Sequence, residues 1–145
     1  MVIIAHDIRS LHNVGAIFRN AAAFGIEKVY LTGITATPPR KEIAKVALGA
    51  EDLVPWEAGM IQDVIQLVRT QGYRVYGLET SPDAQPLELA QDQHLALVLG
   101  NEVSGIDEVT LAMLDGTLVI PMHKKRSLNV SVASGVAMYV LGARS

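Results

Sequence analysis

The stretch from Val119 to Leu141, VIPMHKKRSLNVSVASGVAMYVL, constrains the fold more than any other part of the chain. An apolar strand over residues 118–120 has to stop at Pro121, which supplies no backbone donor. Three cations follow, Lys124, Lys125 and Arg126, and Ser127, Leu128 and Asn129 then open a helix without a polar face. Val130, Val132, Ala133, Val136, Ala137, Met138, Val140 and Leu141 surround that helix, so burial on more than one side is expected. Its small residues, Ser131, Ala133, Ser134, Gly135 and Ala137, leave room for other backbones to approach. A cationic loop carrying Ser and Asn at the mouth of a core helix marks a candidate site. The plainer reading is that Ser127 caps the helix, Asn129 sits in its first turn and the cations are solvated.

The rest of the chain alternates strands with helices. Residues 1–5 form an uninterrupted apolar run, read as a buried strand. Asn13 is a suitable N-cap for a helix over 14–24, closed by Gly25. That helix is apolar apart from Arg19 and Asn20, and an Arg there is costly unless it meets an anion, serves chemistry or snorkels to the surface. Residues 28–31 read as a strand, 40–48 as a short helix with Arg40, Lys41 and Lys45 exposed, and 53–56 as a brief extended piece broken by Pro55. Residues 60–71 are amphipathic and helical, with Ile61, Val64, Ile65 and Val68 on one stripe, and 73–78 form the next strand.

Leu95-Ala-Leu-Val-Leu99 is apolar on both faces, as a central strand of a parallel sheet requires. It runs directly into Gly100-Asn-Glu-Val-Ser-Gly-Ile106, and open α/β sheets bind ligands at such carboxyl ends. Glu102 beside that glycine is either polar decoration or a site residue. A helix over 107–114 follows, capped by Asp107. The expected architecture is α/β, a mostly parallel sheet with helices on both faces, in one domain over residues 1–145.

Half the residues are hydrophobic and 19% are charged, which excludes a disordered chain. The absence of cysteine excludes disulfides, thiolate nucleophiles and thiolate metal sites, and agrees with a cytoplasmic home. The first apolar run is too short for a signal peptide or a membrane span. Net charge is −3 but unevenly spread. Residues 1–45 carry six Lys/Arg against three Asp/Glu, residues 46–123 two against twelve, and residues 124–145 four against none. If the chain ends meet, Arg9, Arg40, Lys41 and Lys45 join Lys124, Lys125 and Arg126 in a basic face suited to a phosphate-bearing partner; a solvated asymmetry without function is the alternative.

Several chemistries fail on pattern. There is no G-x-G-x-x-G after the first strand and no P-loop. Ser134 lies inside a helix and lacks the first Gly of a nucleophile elbow. His6, His12, His94 and His123 show no metal-ligand spacing, so no metal is expected. Three polar, glycine-punctuated segments remain: 13–20, 99–106 and 120–129.

Those segments, HNVGAIFRNAAAFG, LVLGNEVSGI and IPMHKKRSLNVSVASGVAMY, resemble the three ordered motifs of the SpoU/TrmH family of RNA ribose 2′-O-methyltransferases, and the resemblance covers essentially the whole chain. It implies a C-terminal trefoil knot, which general topology rules would have excluded. It implies S-adenosylmethionine held by main-chain groups at Leu78, Gly100, Ile120, Met122 and Leu128. It also implies Arg19 as the key catalytic residue, Ser127 and Asn129 around the reacting ribose, and Asn13 and Glu102 shaping the pocket. An Arg can clamp a phosphate beside the hydroxyl. The general-base role given to it in the family sits poorly with a side chain that is nearly always protonated.

Against the family's usual layout the chain is minimal, so RNA recognition is expected from the catalytic domain itself, acting as a homodimer. Apolar surface on two helices motivates that dimer independently: Phe18, Ala22 and Phe24 on one, Val132, Val136, Met138 and Val140 on the other. Transfer RNA is preferred over ribosomal RNA. A non-catalytic RNA-binding module is the alternative, and intact Arg19, Ser127 and Asn129 count against it. A methyltransferase for a non-RNA substrate would leave the cations at 124–126 unexplained.

Overall fold

A computed structural model describes residues 1–142. Arg144, counted above among the C-terminal cations, lies outside the described residues. Seven parallel strands form one sheet in the order β3-β2-β1-β6-β4-β7-β5: β1 Val2–His6, β2 Lys28–Thr32, β3 Trp56–Gly59, β4 Arg74–Leu78, β5 Gln85–Pro86, β6 Leu95–Leu99 and β7 Gly116–Val119. The two all-apolar runs sit where such runs belong. β1 and β6 pair side by side at the centre, and every residue of both is buried. The edges are short and polar. β3 is mostly exposed, and β5 is two residues ending in Pro86.

Six α-helices among the described residues cover both faces. α1 (Leu11–Ala23), α2 (Lys41–Ala47), α3 (Ala50–Leu53) and α6 (Val130–Gly142) enclose one core with Ile3, Val29, Leu97 and Leu99 of the sheet. α4 (Ile61–Thr70) and α5 (Glu108–Leu111) close the other, over Val2, Ile4, Val75 and Val98. Gly15 of α1 faces α2 so closely that a Cβ would stand 2.6 Å from the Ile43 carbonyl oxygen.

Several boundaries differ from the sequence reading. α1 starts at Leu11, because Ser10 and not Asn13 is its cap: Ser10 Oγ accepts from the Asn13 backbone N–H at 3.1 Å. The extended piece expected at 53–56 is divided between α3 and the edge strand β3. β7 begins two residues early, since Gly116 and Thr117 pair with Tyr76 and Gly77. Asp107 caps α5 as expected, accepting from the Thr110 N–H at 3.2 Å, but the helix stops at Leu111.

The largest difference concerns α6. Ser134, Ala137, Met138 and Leu141 face the core, while Val132, Val136 and Tyr139 are 52%, 37% and 64% exposed. Within one chain this apolar helix is covered on one side only. Segments 78–80, 99–105 and 119–130 crowd around one cleft, an arrangement consistent with the knotted path the resemblance implies.

Candidate active site

Because the strands are parallel, β4, β6 and β7 deliver their carboxyl ends to the same rim of the sheet. There they border a cleft of roughly 280 Å³. Leu78 and Glu79 come from β4, Leu99 and Gly100 from β6, and Val119, Ile120 and Met122 from β7 and the turn after Pro121. Ser127, Leu128, Asn129, Val130 and Ala133 close it from the start of α6. All five positions expected to hold the cofactor therefore line one cavity. Gly100 permits this: a Cβ there would lie 2.6 Å from the Gly105 carbonyl carbon and 2.7 Å from the Ile106 nitrogen.

Glu102 also lines the cleft, and both its oxygens are engaged. Oε1 accepts from the Arg9 N–H at 2.8 Å, and Oε2 accepts from the Ser10 N–H at 2.8 Å and from Asn13 Nδ2 at 3.0 Å. Burial works against its charge, but these donors outweigh burial and hold the carboxyl below its ordinary range. Glu102 is thus an anionic staple between the β6 and β1 loops, and the buried Asn13 supports it from inside α1.

Ser127 and Asn129 sit together at the rim. Asn129 caps α6: its Oδ1 accepts from the Ser131 N–H at 2.9 Å and from Ser131 Oγ at 2.6 Å. Ser127, offered as a cap by the plainer reading, is exposed two residues outside that cap and lines the cleft.

Arg19 is not in this cleft. It is exposed, makes no ion pair among the described residues, and borders a separate groove between α1 and α6 with Asn20, Phe24, Val132, Val136 and Tyr139. The first turns of α6 divide the two sites, with Asn129, Val130 and Ala133 on the cleft and Ser131, Val132 and Gly135 on the groove. The chain settles Arg19's cost by leaving it at the surface. The basic residues expected on the RNA face, Arg9, Arg40, Lys41, Lys45, Lys124, Lys125 and Arg126, are all exposed, and Arg40 pairs with Glu42 at 3.2 Å. Their segments leave from the carboxyl ends of β1, β2 and β7, on the cleft's side of the sheet.

Two residues with site roles escaped the sequence reading. Glu79 accepts from the Ile106 N–H at 2.9 Å and the Thr80 N–H at 3.0 Å, pinning the turn after Gly105 against the cleft. A lone Glu at a strand end carries no signal of this. Asn20 donates to the Ser131 carbonyl at 2.9 Å and to Ser134 Oγ at 3.2 Å, tying α1 to α6. Its place in an apolar helix was the available clue.

A profile of the SpoU rRNA Methylase family matches residues 1–139. A 23S rRNA (guanosine-2′-O-)-methyltransferase of Xanthomonas axonopodis pv. citri is 32% identical over 96% of this chain and 57% of its own length. The crystal structure of an A. aeolicus TrmH/SpoU tRNA modifying enzyme superposes with a TM-score of 0.85, at 25% identity over 99% of this chain and 74% of that one. A structure described as giving insights into 2-OH methylation of C/U34 on tRNA also reaches 0.85, at 26% identity over 97% of this chain and 92% of that one. The chain thus spans little more than half the length of the rRNA-modifying relative, and nearly all of the last structure.

Proposed function

The chain belongs to the SpoU rRNA methylase family, and from that premise we propose that it is a homodimeric enzyme transferring a methyl group from S-adenosylmethionine to a ribose 2′-hydroxyl of transfer RNA in the cytoplasm. The observation that carries this reading is the convergence of Leu78, Gly100, Ile120, Met122 and Leu128 on one cleft with Ser127 and Asn129 at its rim.

The cleft suits such a cofactor. Leu78, Leu99, Val119, Ile120 and Leu128 offer apolar walls to a flat base, and Gly100 leaves main-chain groups within reach. When bound, S-adenosylmethionine supplies an electrophilic methyl group. The protein's own work lies on the acceptor side, because a ribose hydroxyl is a weak nucleophile that has to be aligned and relieved of its proton. Ser127 and Asn129 are assigned to orient the ribose. Arg19, free of any ion pair among the described residues, is assigned to clamp the adjoining phosphate with its forked donors. Glu102 and Asn13 keep the β1 and β6 loops in register and are positioning residues, since the carboxylate is already saturated with N–H donors.

The dimer supplies what one chain lacks. Phe24, Val132, Val136 and Tyr139 form the uncovered apolar face around Arg19, and pairing two such faces would place Arg19 at the seam. Phe18 and Met138, counted toward this face from sequence, are fully buried within the chain and drop out, and Tyr139 takes their place.

Transfer RNA is favoured by the likeness to the structure concerned with tRNA methylation, at 26% identity and a TM-score of 0.85. Ribosomal RNA is the second reading, favoured by the identity to the Xanthomonas enzyme. Titration calorimetry tests the cofactor step: S-adenosylmethionine or its demethylated product should bind, NAD and ATP should not. Failure of the dimer to bind either form of the cofactor with RNA present would defeat the enzyme reading.

A further inference from the structure

Three side chains at the carboxyl end of β1 have no part in the scheme above. His6 ends β1 and is 7% exposed, Asp7 follows it, and Asp107 arrives from the far side of the 100–106 loop. His6 Nε2 stands 3.4 Å from Asp7 Oδ2 and 3.6 Å from Asp107 Oδ1, and one donor atom from each of the three residues lies within 4.8 Å of the other two. An N–H···O hydrogen bond spans about 2.7–3.2 Å, so neither contact is one. Ligands bound at about 2.1 Å in a tetrahedron are separated by about 3.4 Å, close to the two spacings from His6 Nε2 to the carboxylates.

The opposite atom is occupied in His6 and Asp7: His6 Nδ1 lies 2.9 Å from Thr32 Oγ1, and Asp7 Oδ1 accepts from the Ile34 N–H at 3.0 Å. Asp107 is held at both oxygens, Oδ2 by the Thr110 N–H at 3.2 Å and Oδ1, the oxygen facing His6, by the Thr110 hydroxyl at 2.6 Å. Such outer partners orient ligands, and Oδ1 keeps a second lone pair for an ion. The His6 side chain is 9% exposed, and its Nε2 is aimed between two carboxylates at more than hydrogen-bond distance. Neither carboxylate pairs with Lys or Arg among the described residues. Asp7 and Asp107 side chains are 38% and 53% exposed, which gives an ion its way in.

We propose that His6 Nε2, Asp7 and Asp107 bind one divalent transition-metal ion of the Zn²⁺ class, completed by solvent. The donor set, one imidazole and two carboxylates, suits Zn²⁺ or Co²⁺ better than the all-oxygen shells of Mg²⁺ or Ca²⁺. The ion ties the loop after β1 to the loop after β6, which are already joined by the Asn101 side chain, its Nδ2 donating to the Asp7 carbonyl at 2.8 Å. The sequence offered no such spacing, because His6 and Asp107 are a hundred residues apart. The site does not depend on methyl transfer.

The test is titration of the metal-stripped full chain with Zn²⁺ by calorimetry and with Co²⁺ by visible absorption. Wild type should take up one ion per chain, give the intense Co²⁺ bands of a tetrahedral site, and melt at a higher temperature with Zn²⁺. Asp7→Asn suits the comparison, because Asp7 has φ +56, which Asn tolerates, and Asn keeps the acceptor for Ile34. Asp7→Asn and His6→Gln should each weaken binding more than tenfold and remove the thermal shift. No saturable binding by wild type overturns the proposal. So does equal binding by either variant, which would assign the ion to His12, His94 or His123.

Discussion

Glu102 Oε2 accepts a hydrogen bond from Asn13 Nδ2 at 3.0 Å, joining residues 89 positions apart and locking the loop after β6 to the first turn of α1. Removing the carboxylate strands three donors, two of them main-chain N–H groups that no side-chain movement can redirect. Glu102→Ala should therefore cost about 1–3 kcal/mol, read as a lower urea midpoint, with a parallel loss of cofactor affinity.

The same carboxylate sets an acid limb. Its folded pKa lies below the unfolded value, so its contribution is complete above the ordinary Glu range and is lost as pH falls through the depressed folded value. Glu27 acts in the same direction, lowered first by its bond from the Met1 ammonium group. Unfolding free energy followed from pH 7 to pH 3 should fall below about pH 4.5, and Glu102→Gln should flatten that limb. An unchanged limb in the variant would remove Glu102 from the account.

Arg19 presents the opposite case. It is exposed and free of ion pairs among the described residues, so Arg19→Ala should shift stability by no more than about 0.5 kcal/mol. Cofactor affinity should stay near wild type while methyl transfer falls by orders of magnitude. Near-normal transfer by the variant would show that the assignment is wrong.

How much of this was legible in the sequence follows from range. Leu95–Leu99 and Gly100 were readable because a doubly buried strand and a close-packed glycine leave local signatures. The cleft positions followed from the motifs that surround them. Asn13 was misread as a cap because Ser10, three residues earlier, competes for that role, and the decisive partner of Asn13 is Glu102. Arg19 was visible as an oddity, but which side of α6 it occupies depends on how that helix packs across α1 through Asn20. α6 itself looked like a core helix because an apolar composition does not say which of its sides the chain covers, and Val132, Val136 and Tyr139 stay exposed.

The basic loop gives a prediction in salt. Lys124 and Lys125 are exposed on the loop that lines the cleft. Replacing both with Gln should weaken RNA binding and reduce the slope of log K against log salt by about 1.4–1.8, the share of two phosphate contacts. A slope equal to wild type would place the RNA face elsewhere.

The uncovered face of α6 is tested by charge. Val136 borders the groove beside Phe24 and Tyr139, whose rings meet edge to face at 5.7 Å. Val136→Glu should give monomers or insoluble protein by light scattering, together with lost methylation. A stable, active wild-type monomer at micromolar concentration would refute the dimer.

Ribose methylation of RNA is tested most directly by incubating isotope-labelled S-adenosylmethionine with the purified protein and unmodified tRNA. Ribosomal RNA serves in parallel, with nuclease digestion and mass spectrometry locating the label. The account predicts one 2′-O-methylated nucleotide in tRNA, absent with Arg19→Ala. No transfer to either RNA by a dimer that binds the cofactor would contradict it.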